Sequence, residues 1–298
     1  MDQRVMPMGL RSFLFAPGNH PRKVDKVFGT KADVVILDLE DAVAVTEKEA
    51  TRAVVVAAMQ RSRSMLGYIR VNSFDSRWCL GDLDAVVGPW LNGIVLPKTE
   101  SPEPLRIVSE RLGELERQQG MKPGSIDLMP LVETAAGVEN AAAIAAAGQR
   151  VRRLAFGGGD YTNDLDLIWT FEEHELSYAR AKLSHASRIA GIEPPIDTVV
   201  IQIRDPARFV HSALNGRRMG FAGKLCIHPD QVEPCNSAFT PSPEEIAHAR
   251  AVIATFEAAE AEGSASIQLN GFFIDYPIVY KARRTLAFAA RLALDETR

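Results

Sequence analysis

DVVILDL (residues 33–39) followed by EKEATRAVVVAAMQR (47–61) decides the fold. The first run is almost unbroken in apolar residues and rich in β-branched ones, the signature of a strand buried on both faces. The second places its apolar residues at helical spacing. A doubly buried strand followed at once by a helix is half of a parallel βαβ unit. The same alternation recurs along the chain. RSFLF (from Arg11), GYIRV (from Gly67), NGIVLP (from Asn92), DLMPLV (from Asp127), RLAFG (from Arg153), PIDTVV (from Pro195) and GKLCIHP (from Gly223) are the other strand candidates. ETAAGVENAAAIAAAG (133–148) reads as one helix closed by Gly148. About eight βα units in ~230 residues favour a closed (β/α)8 TIM barrel over an open doubly wound sheet.

The barrel is expected to occupy residues 1–238 and a C-terminal helix and lid extension residues 239–298. TPSPEEIAHARAVIATFEAAEAEG (240–263) has a Ser cap, Pro243 at a helix start, acids in the first turn and Gly263 past the end. SIQLNGFFIDYPIVY (266–280) is expected to turn at Asn270-Gly271, extend through Asp275 and restart as a helix at Pro277.

Composition narrows the function. The chain has 298 residues, 46% hydrophobic and 24% charged, with a formal charge of -4. Lys and Arg are scattered rather than striped, which argues against nucleic acid and anionic membranes and for small-molecule chemistry. Three cysteines without C-x-x-C spacing fit a reducing compartment. With no apolar signal core in MDQRVMPMGLRS and no run of ~18 apolar residues, the expected location is the cytoplasm.

RRLAFGGGDYTNDLD (152–166) is the most unusual segment. No lysine follows its glycines as a P-loop requires, Thr162 breaks the dinucleotide pattern, and Leu165 stands where an EF-hand loop from Asp160 needs glycine. In a barrel, Asp160 lies past the sixth strand on the catalytic face, and Glu133 ends the adjacent fifth strand. Two such carboxylates repel by about 4 kcal/mol at ~4 Å and an effective dielectric of ~20. A shared proton or a hard divalent cation such as Mg²⁺ would offset that repulsion. The plainer alternative makes both residues helix caps. Glycines allow close backbone approach and leave N–H groups free to face an anion.

Arg70 presents a planar fork for a substrate carboxylate, or forms an internal ion pair with Asp38 or Glu40, or does both. Lys98 is a Schiff-base candidate or a counter-charge, and His228 a base or a packing residue.

Taken in order, RSFLFAPGNHPRKVDKV, ILDLEDAV, IRVN, LPK, PLVETAAGVEN, FGGGDYTNDL, GKLCIHPDQV with FTPSPEEIAHA, and NGFFIDYP resemble the HpcH/HpaI aldolase and citrate lyase β-subunit family. The tail NGFFIDYP is similar to the branch of malyl-CoA and citramalyl-CoA lyases. The resemblance implies a (β/α)8 barrel, Mg²⁺ on Glu133 and Asp160, and cleavage or formation of a C–C bond in a 3-hydroxyacyl-CoA thioester, giving a 2-oxo acid and acetyl-CoA. It further implies CoA contacts from Phe15, Arg22 and Lys26, substrate binding by Arg70 and the backbone at Gly159, support from Asp38 and Glu40, and proton transfer by Asp275, whose plainer alternative role is to cap the helix started by Pro277. In that branch the acid corresponding to Asp275 reaches across from a neighbouring subunit, so a homo-oligomer, a trimer or a multiple of it, is expected. Gly158 and Gly159 depart from the pattern, since relatives often carry larger residues there, and this widens the pocket. Two other expectations are compatible with the same scaffold: a citrate lyase β-type subunit acting on a carrier-bound thioester within a complex, and a non-catalytic CoA-ester binding protein.

Overall fold

The computed structural model of the chain describes residues 9–264 and 266–295. The first eight residues of the expected barrel segment, most of the N-terminal stretch considered above, lie outside them. Backbone contacts divide the chain into Leu10–Phe239 and a second unit containing the described part of Thr240–Arg298.

The first unit is a closed barrel of eight parallel strands. They are β1 (Ser12–Pro17), β2 (Val34–Asp38), β3 (Leu66–Arg70), β4 (Gly93–Leu96), β5 (Asp127–Val132), β6 (Ala155–Phe156), β7 (Ile196–Asp197) and β8 (Gly223–Cys226). Pairing of Ser12 with Lys224 and Leu14 with Cys226 joins β8 to β1 and leaves no sheet edge. Helices α1 (Pro21–Phe28), α2 (Lys48–Met59), α3 (Cys79–Val86), α4 (Pro102–Gln118) and α5 (Ala135–Glu139) lie in the first five connections. They are followed by α6 (Ala141–Ala145), α7 (Gly158–Asp164), α8 (Ser177–Ala190), α9 (Pro206–Arg218) and α10 (Val232–Phe239).

Strand parity explains the core. Val34 and Ile36 on β2, Tyr68 on β3, Met129 and Leu131 on β5, Ala155 on β6, Ile196 on β7 and Leu225 on β8 fill the barrel interior. Their neighbours Val35, Leu37, Ile69, Leu128, Val132 and Phe156 pack outward, in one cluster with Val55, Leu83, Leu105 and Leu183 of the helices. Both faces of DVVILDL are therefore buried, which is why the run shows no polar alternation. Each such buried aliphatic side chain contributes roughly 1.5–3 kcal/mol.

One end of the barrel is closed by charge. Arg153, 1% exposed, donates to Tyr68 Oη at 3.0 Å and Asp127 Oδ2 at 3.1 Å and pairs with Glu193 at 3.0 Å. The other end is open. Continuing the inward parity by one step beyond the apolar layer gives Asp38, Arg70, Glu133, Gly157, Thr198 and Ile227, and all six line a cavity there.

Two local expectations change. ETAAGVENAAAIAAAG is not one helix: it breaks at Asn140 (φ -87°, ψ 6°), whose side chain donates to the Glu100 carbonyl at 2.8 Å, and α6 ends before Gly148. Asparagine is a weak helix former, and here its side chain is taken up by another segment's carbonyl at the point where the backbone departs from helical angles. The GGG segment is less of a loop than expected, since Gly158 and Gly159 already belong to α7 and Asp160 sits in its first turn.

The second unit contains α11 (Pro243–Ala261), a hairpin of β9 (Ile267–Leu269) and β10 (Phe272–Ile274), and α12 (Tyr276–Asp295). Ser242 and Glu245 form a reciprocal capping box at the start of α11. Asn270 (φ 51°) and Gly271 (φ 84°) make the two-residue hairpin turn that their types favour. Ala249, Val252, Phe256, Ile274, Val279 and Ala282 form this unit's own core. Phe272 and Phe273 are 68% and 66% exposed.

Candidate active site

The open end of the barrel holds a cavity of about 740 Å³, a size suited to a small organic ligand. Its lining divides by strand. Asp38, Asp41, Arg70, Glu133 and Asp160, with the glycines 157 and 159, come from the β2–β6 side. Thr198, Val199, Ile201, Leu225, Ile227, Phe15 and Pro17 make the β7–β8–β1 side largely apolar.

Glu133 directly follows β5 and is 1% exposed. Its Oε1 accepts the backbone N–H of Lys98 at 2.8 Å. Burial, followed by the negative charges of Asp160 and Glu40, pushes its carboxyl well above the ordinary range, against the opposing pull of Arg70 and the Lys98 N–H. A buried carboxyl raised mainly by burial and by another carboxylate is a group waiting for a proton or a cation. The helix-cap alternative fails for both acids. Thr134 Oγ1 caps α5 by accepting from Gly137 N, and Asp160 lies inside α7 rather than at its cap.

Gly157 is required by Glu133. A Cβ at position 157 would lie 2.4 Å from Glu133 Oε2 and 2.5 Å from its Cβ, whereas one at Gly159 would meet only Trp169 at 3.8 Å. Gly157→Ala is therefore expected to displace the carboxylate, weaken Mg²⁺ binding about tenfold or more and destabilise the fold by about 1–3 kcal/mol through overpacking. Calorimetric titration with Mg²⁺ and thermal melts measure both, and Gly159→Ala, expected to keep wild-type stability, is the control.

Arg70 ends β3 with its fork fully oriented. Its Nε and Nη2 donate to Asp38 Oδ1 and Oδ2 at 2.7 and 2.6 Å, and its Nη1 pairs with Glu40 Oε2 at 2.9 Å. The guanidinium also lies 5.1 Å from the centre of the Phe15 ring. The internal ion pair weighed against substrate binding thus exists, and Arg70 lines the cavity as well. Burial alone would raise Asp38, but Arg70 and the backbone N–H groups of Glu40 and Ala42 hold its carboxyl below the usual range. For Glu40, burial prevails over Arg70 and Lys98 and the carboxyl is raised. Lys48, buried, donates to the carbonyls of Leu39 and Glu40 and to Asn72 Oδ1, which fixes the loop after β2.

Lys98 adopts φ 49° and places Nζ 2.6 Å from Glu40 Oε1 and 3.4 Å from Asp41 Oδ1. For a non-glycine residue this left-handed conformation costs about 1–2 kcal/mol. Burial would lower its amine pKa, but the hydrogen bond and charge of Glu40 outweigh burial and raise the pKa, which favours the counter-charge over the imine-forming amine.

The other expected residues are distributed unevenly. Phe15 and Lys26 line the cavity, and Arg22 is exposed on α1 outside the lining. Lys23, which sequence reasoning missed, lines it; positions 22 and 23 both neighbour position 26 on the surface of α1, and it is the 23 side that faces the cavity. Thr198 was also missed, although the strand parity of PIDTVV points it inward; its Oγ1 accepts from Gly158 N at 2.7 Å. His228 lines the cavity, with Nδ1 accepting from Asp230 N at 3.2 Å. Asp275 belongs to the second unit, at the start of α12, where its carbonyl accepts from Val279 N at 3.1 Å.

The donor set suits a hard cation. Among the described residues no group of three or more His, Cys, Asp or Glu side chains is arranged to hold a metal. Two carboxylates facing a cavity, one of them buried and raised, match an ion that keeps its waters and takes substrate oxygens. Among the described residues no helix is long and apolar enough to cross a membrane.

A (β/α)8 barrel with two carboxylates and an oriented arginine facing the cavity at its open end has the architecture of a barrel enzyme, whose chemistry sits at that end. Residues 11–229 match the model of one such family, HpcH/HpaI aldolase/citrate lyase, and the chain belongs to it. The citrate lyase subunit beta of Escherichia coli (strain K12) is 35% identical over 281 residues, covering 94% of this chain and 93% of that protein. The mitochondrial citramalyl-CoA lyase of Homo sapiens is 30% identical over 297 residues, covering 95% and 86%. The crystal structure of the protein CitE from Mycobacterium tuberculosis, in complex with magnesium, acetoacetate and coenzyme A, superposes with a TM-score of 0.77 at 28% identity, covering 94% of this chain and 98% of that one. The protein is a carbon–carbon lyase of this family.

Proposed function

We propose that the protein is a Mg²⁺-dependent lyase that cleaves or forms a 3-hydroxyacyl-CoA thioester of the malyl-, citramalyl- or citryl-CoA type, interconverting it with a 2-oxo acid and acetyl-CoA. The observation that carries this is the buried, upshifted Glu133 beside Asp160, in a cavity that also holds an oriented arginine.

Glu133 and Asp160 would hold Mg²⁺, which would supply Lewis-acid stabilisation of the oxyanion charge that develops on the acid half. Arg70, fixed by Asp38, Glu40 and Phe15, offers its remaining N–H groups to the carboxylate of that half. The Gly159 backbone closes the same corner. In the cleavage direction the hydroxyl passes its proton to the Asp275 carboxylate and its oxygen becomes the carbonyl of the 2-oxo acid, while the C–C bond breaks and its electron pair moves into the thioester enolate. Asp275 returns a proton to the α-carbon, giving acetyl-CoA. The apolar β7–β8–β1 side takes the thioester, and Lys23 and Lys26 take the CoA phosphates.

The tail gives this proposal an oligomeric corollary. Phe272 and Phe273 are exposed beside Asp275, so a neighbouring subunit is the expected cover and the neighbouring barrel the expected destination of Asp275. Neither Asp275→Ala nor Glu133→Gln chains should turn over alone, and mixing them should regenerate active sites. Inactive mixtures, after mass measurement has established subunit exchange, would assign Asp275 to its own barrel or to none.

A second possibility is a citrate lyase β-type subunit acting on a carrier-bound thioester, favoured by the 35% identity to such a subunit. The two separate cleanly: the free-standing lyase releases a 2-oxo acid from a CoA thioester unaided, and the complex subunit requires its carrier protein.

A further inference from the structure

Lys98 contributes no group that the reaction consumes, yet it touches both halves of the polar machinery with different parts of itself. Its backbone N–H donates to Glu133 Oε1 at 2.8 Å, and its ammonium lies 2.6 Å from Glu40 Oε1. The other oxygen of Glu40 pairs with Arg70 at 2.9 Å. One residue on the β4 loop thus joins the carboxylate on β5 to the guanidinium on β3 through the acid that follows β2. A left-handed backbone at a lysine persists only where its surroundings over-determine it. Here it lets a single residue aim its N–H towards β5 and turn its side chain back towards β2. The turn is held from both sides, by Thr99 N on the Leu131 carbonyl at 3.2 Å and Thr99 Oγ1 on the Leu96 carbonyl at 2.9 Å. Glu133 Oε1 is occupied in this way, and Oε2 lies over Gly157.

We infer that Lys98 is a positioning residue: its N–H orients the metal-binding carboxylate of Glu133, and its ammonium fixes Glu40 and through it Arg70, so that cation and substrate carboxylate are held in one register. The inference rests on the proposed function, which makes Glu133 a metal ligand and Arg70 the carboxylate grip. A merely structural ion pair predicts otherwise. The Lys98 side chain is 40% exposed, so its loss should cost little stability.

The two arms can be cut separately in the full chain. Lys98→Met deletes the ammonium and keeps the N–H. An amide-to-ester replacement at residue 98 deletes the N–H and keeps the side chain. Lys98→Gly relaxes the backbone and leaves room for an added amine. Calorimetric titration with MgCl2 reads the first arm. The second is read from kcat and KM with whichever of malyl-, citramalyl- and citryl-CoA the wild type turns over fastest. Lys98→Met should bind Mg²⁺ like the wild type, melt close to it, and lose roughly 10–100-fold in kcat/KM. Methylammonium should restore part of the activity of Lys98→Gly and none of that of Lys98→Met. The ester chain should bind Mg²⁺ about tenfold or more weakly. Wild-type kcat/KM in Lys98→Met, a loss that tracks an equal fall in melting temperature, or wild-type Mg²⁺ affinity in a folded ester chain overturns the inference while leaving the proposed function in place. A wild-type protein that binds no Mg²⁺ overturns both.

Discussion

Glu133→Gln is expected to remove Mg²⁺ binding and lower kcat roughly a thousandfold or more, because several kcal/mol of charge stabilisation depend on that ligand. The same substitution should make the metal-free protein more stable. Glu133 is almost fully buried, and burial together with Asp160 and Glu40 raises its pKa well above the ordinary carboxyl value. The folded, metal-free chain therefore retains a proton that the unfolded chain releases above about pH 4.3. Where the folded state binds more protons, stability falls as pH rises, here from the unfolded pKa up through the raised folded one. Glutamine, isosteric and neutral, removes that slope. Calorimetric melts from pH 5 to 8 should show metal-free wild type losing stability with pH and Glu133→Gln losing less. Added Mg²⁺ should stabilise only the wild type, and increasingly so as pH rises. A variant that binds Mg²⁺ as the wild type does would remove Glu133 from the metal site.

Arg70→Lys should lower kcat/KM about a hundredfold or more, the loss expected when an oriented donor at developing charge is removed. Lysine keeps the charge and loses the fork. A single ammonium cannot reproduce the two bonds to Asp38 and the contact with Glu40 while still facing the cavity. Some stability should be lost too, since Asp38 is 2% exposed and its lowered pKa depends on this arginine. A depressed carboxylate contributes stability above its unfolded pKa that is lost as pH falls through the folded one. Acid unfolding of Arg70→Lys should therefore begin at higher pH than in the wild type. A variant that remains folded under assay conditions and has normal kcat/KM would confine Arg70 to the internal ion pair.

Much of this site was legible because barrel strands obey a two-residue parity. Once Ile36, Tyr68 and Leu131 are placed inside, Asp38, Arg70 and Glu133 must follow at the open end, and the same count would have found Thr198 in PIDTVV. Arg22 was expected from the family resemblance alone; positions 22 and 23 both neighbour Lys26 on α1, so helical spacing could not choose between them, and Lys23 is the one that lines the cavity. The break at Asn140 depends on a partner 40 residues away, the Glu100 carbonyl, which no local pattern reveals. Lys98 is the least legible. Nothing in LPKTE announces a left-handed lysine, because that backbone is imposed by contacts on β2 and β5 rather than by its own preference.

The central claim is tested most directly by incubating the purified protein with malyl-, citramalyl- and citryl-CoA and recording 2-oxo acid release with Mg²⁺, with chelator, and with Mg²⁺ restored. The account predicts release of a 2-oxo acid and acetyl-CoA from at least one thioester, abolished by chelator and recovered with Mg²⁺. Thioesters left intact in the presence of Mg²⁺, or cleavage that continues unchanged under chelation, would contradict it.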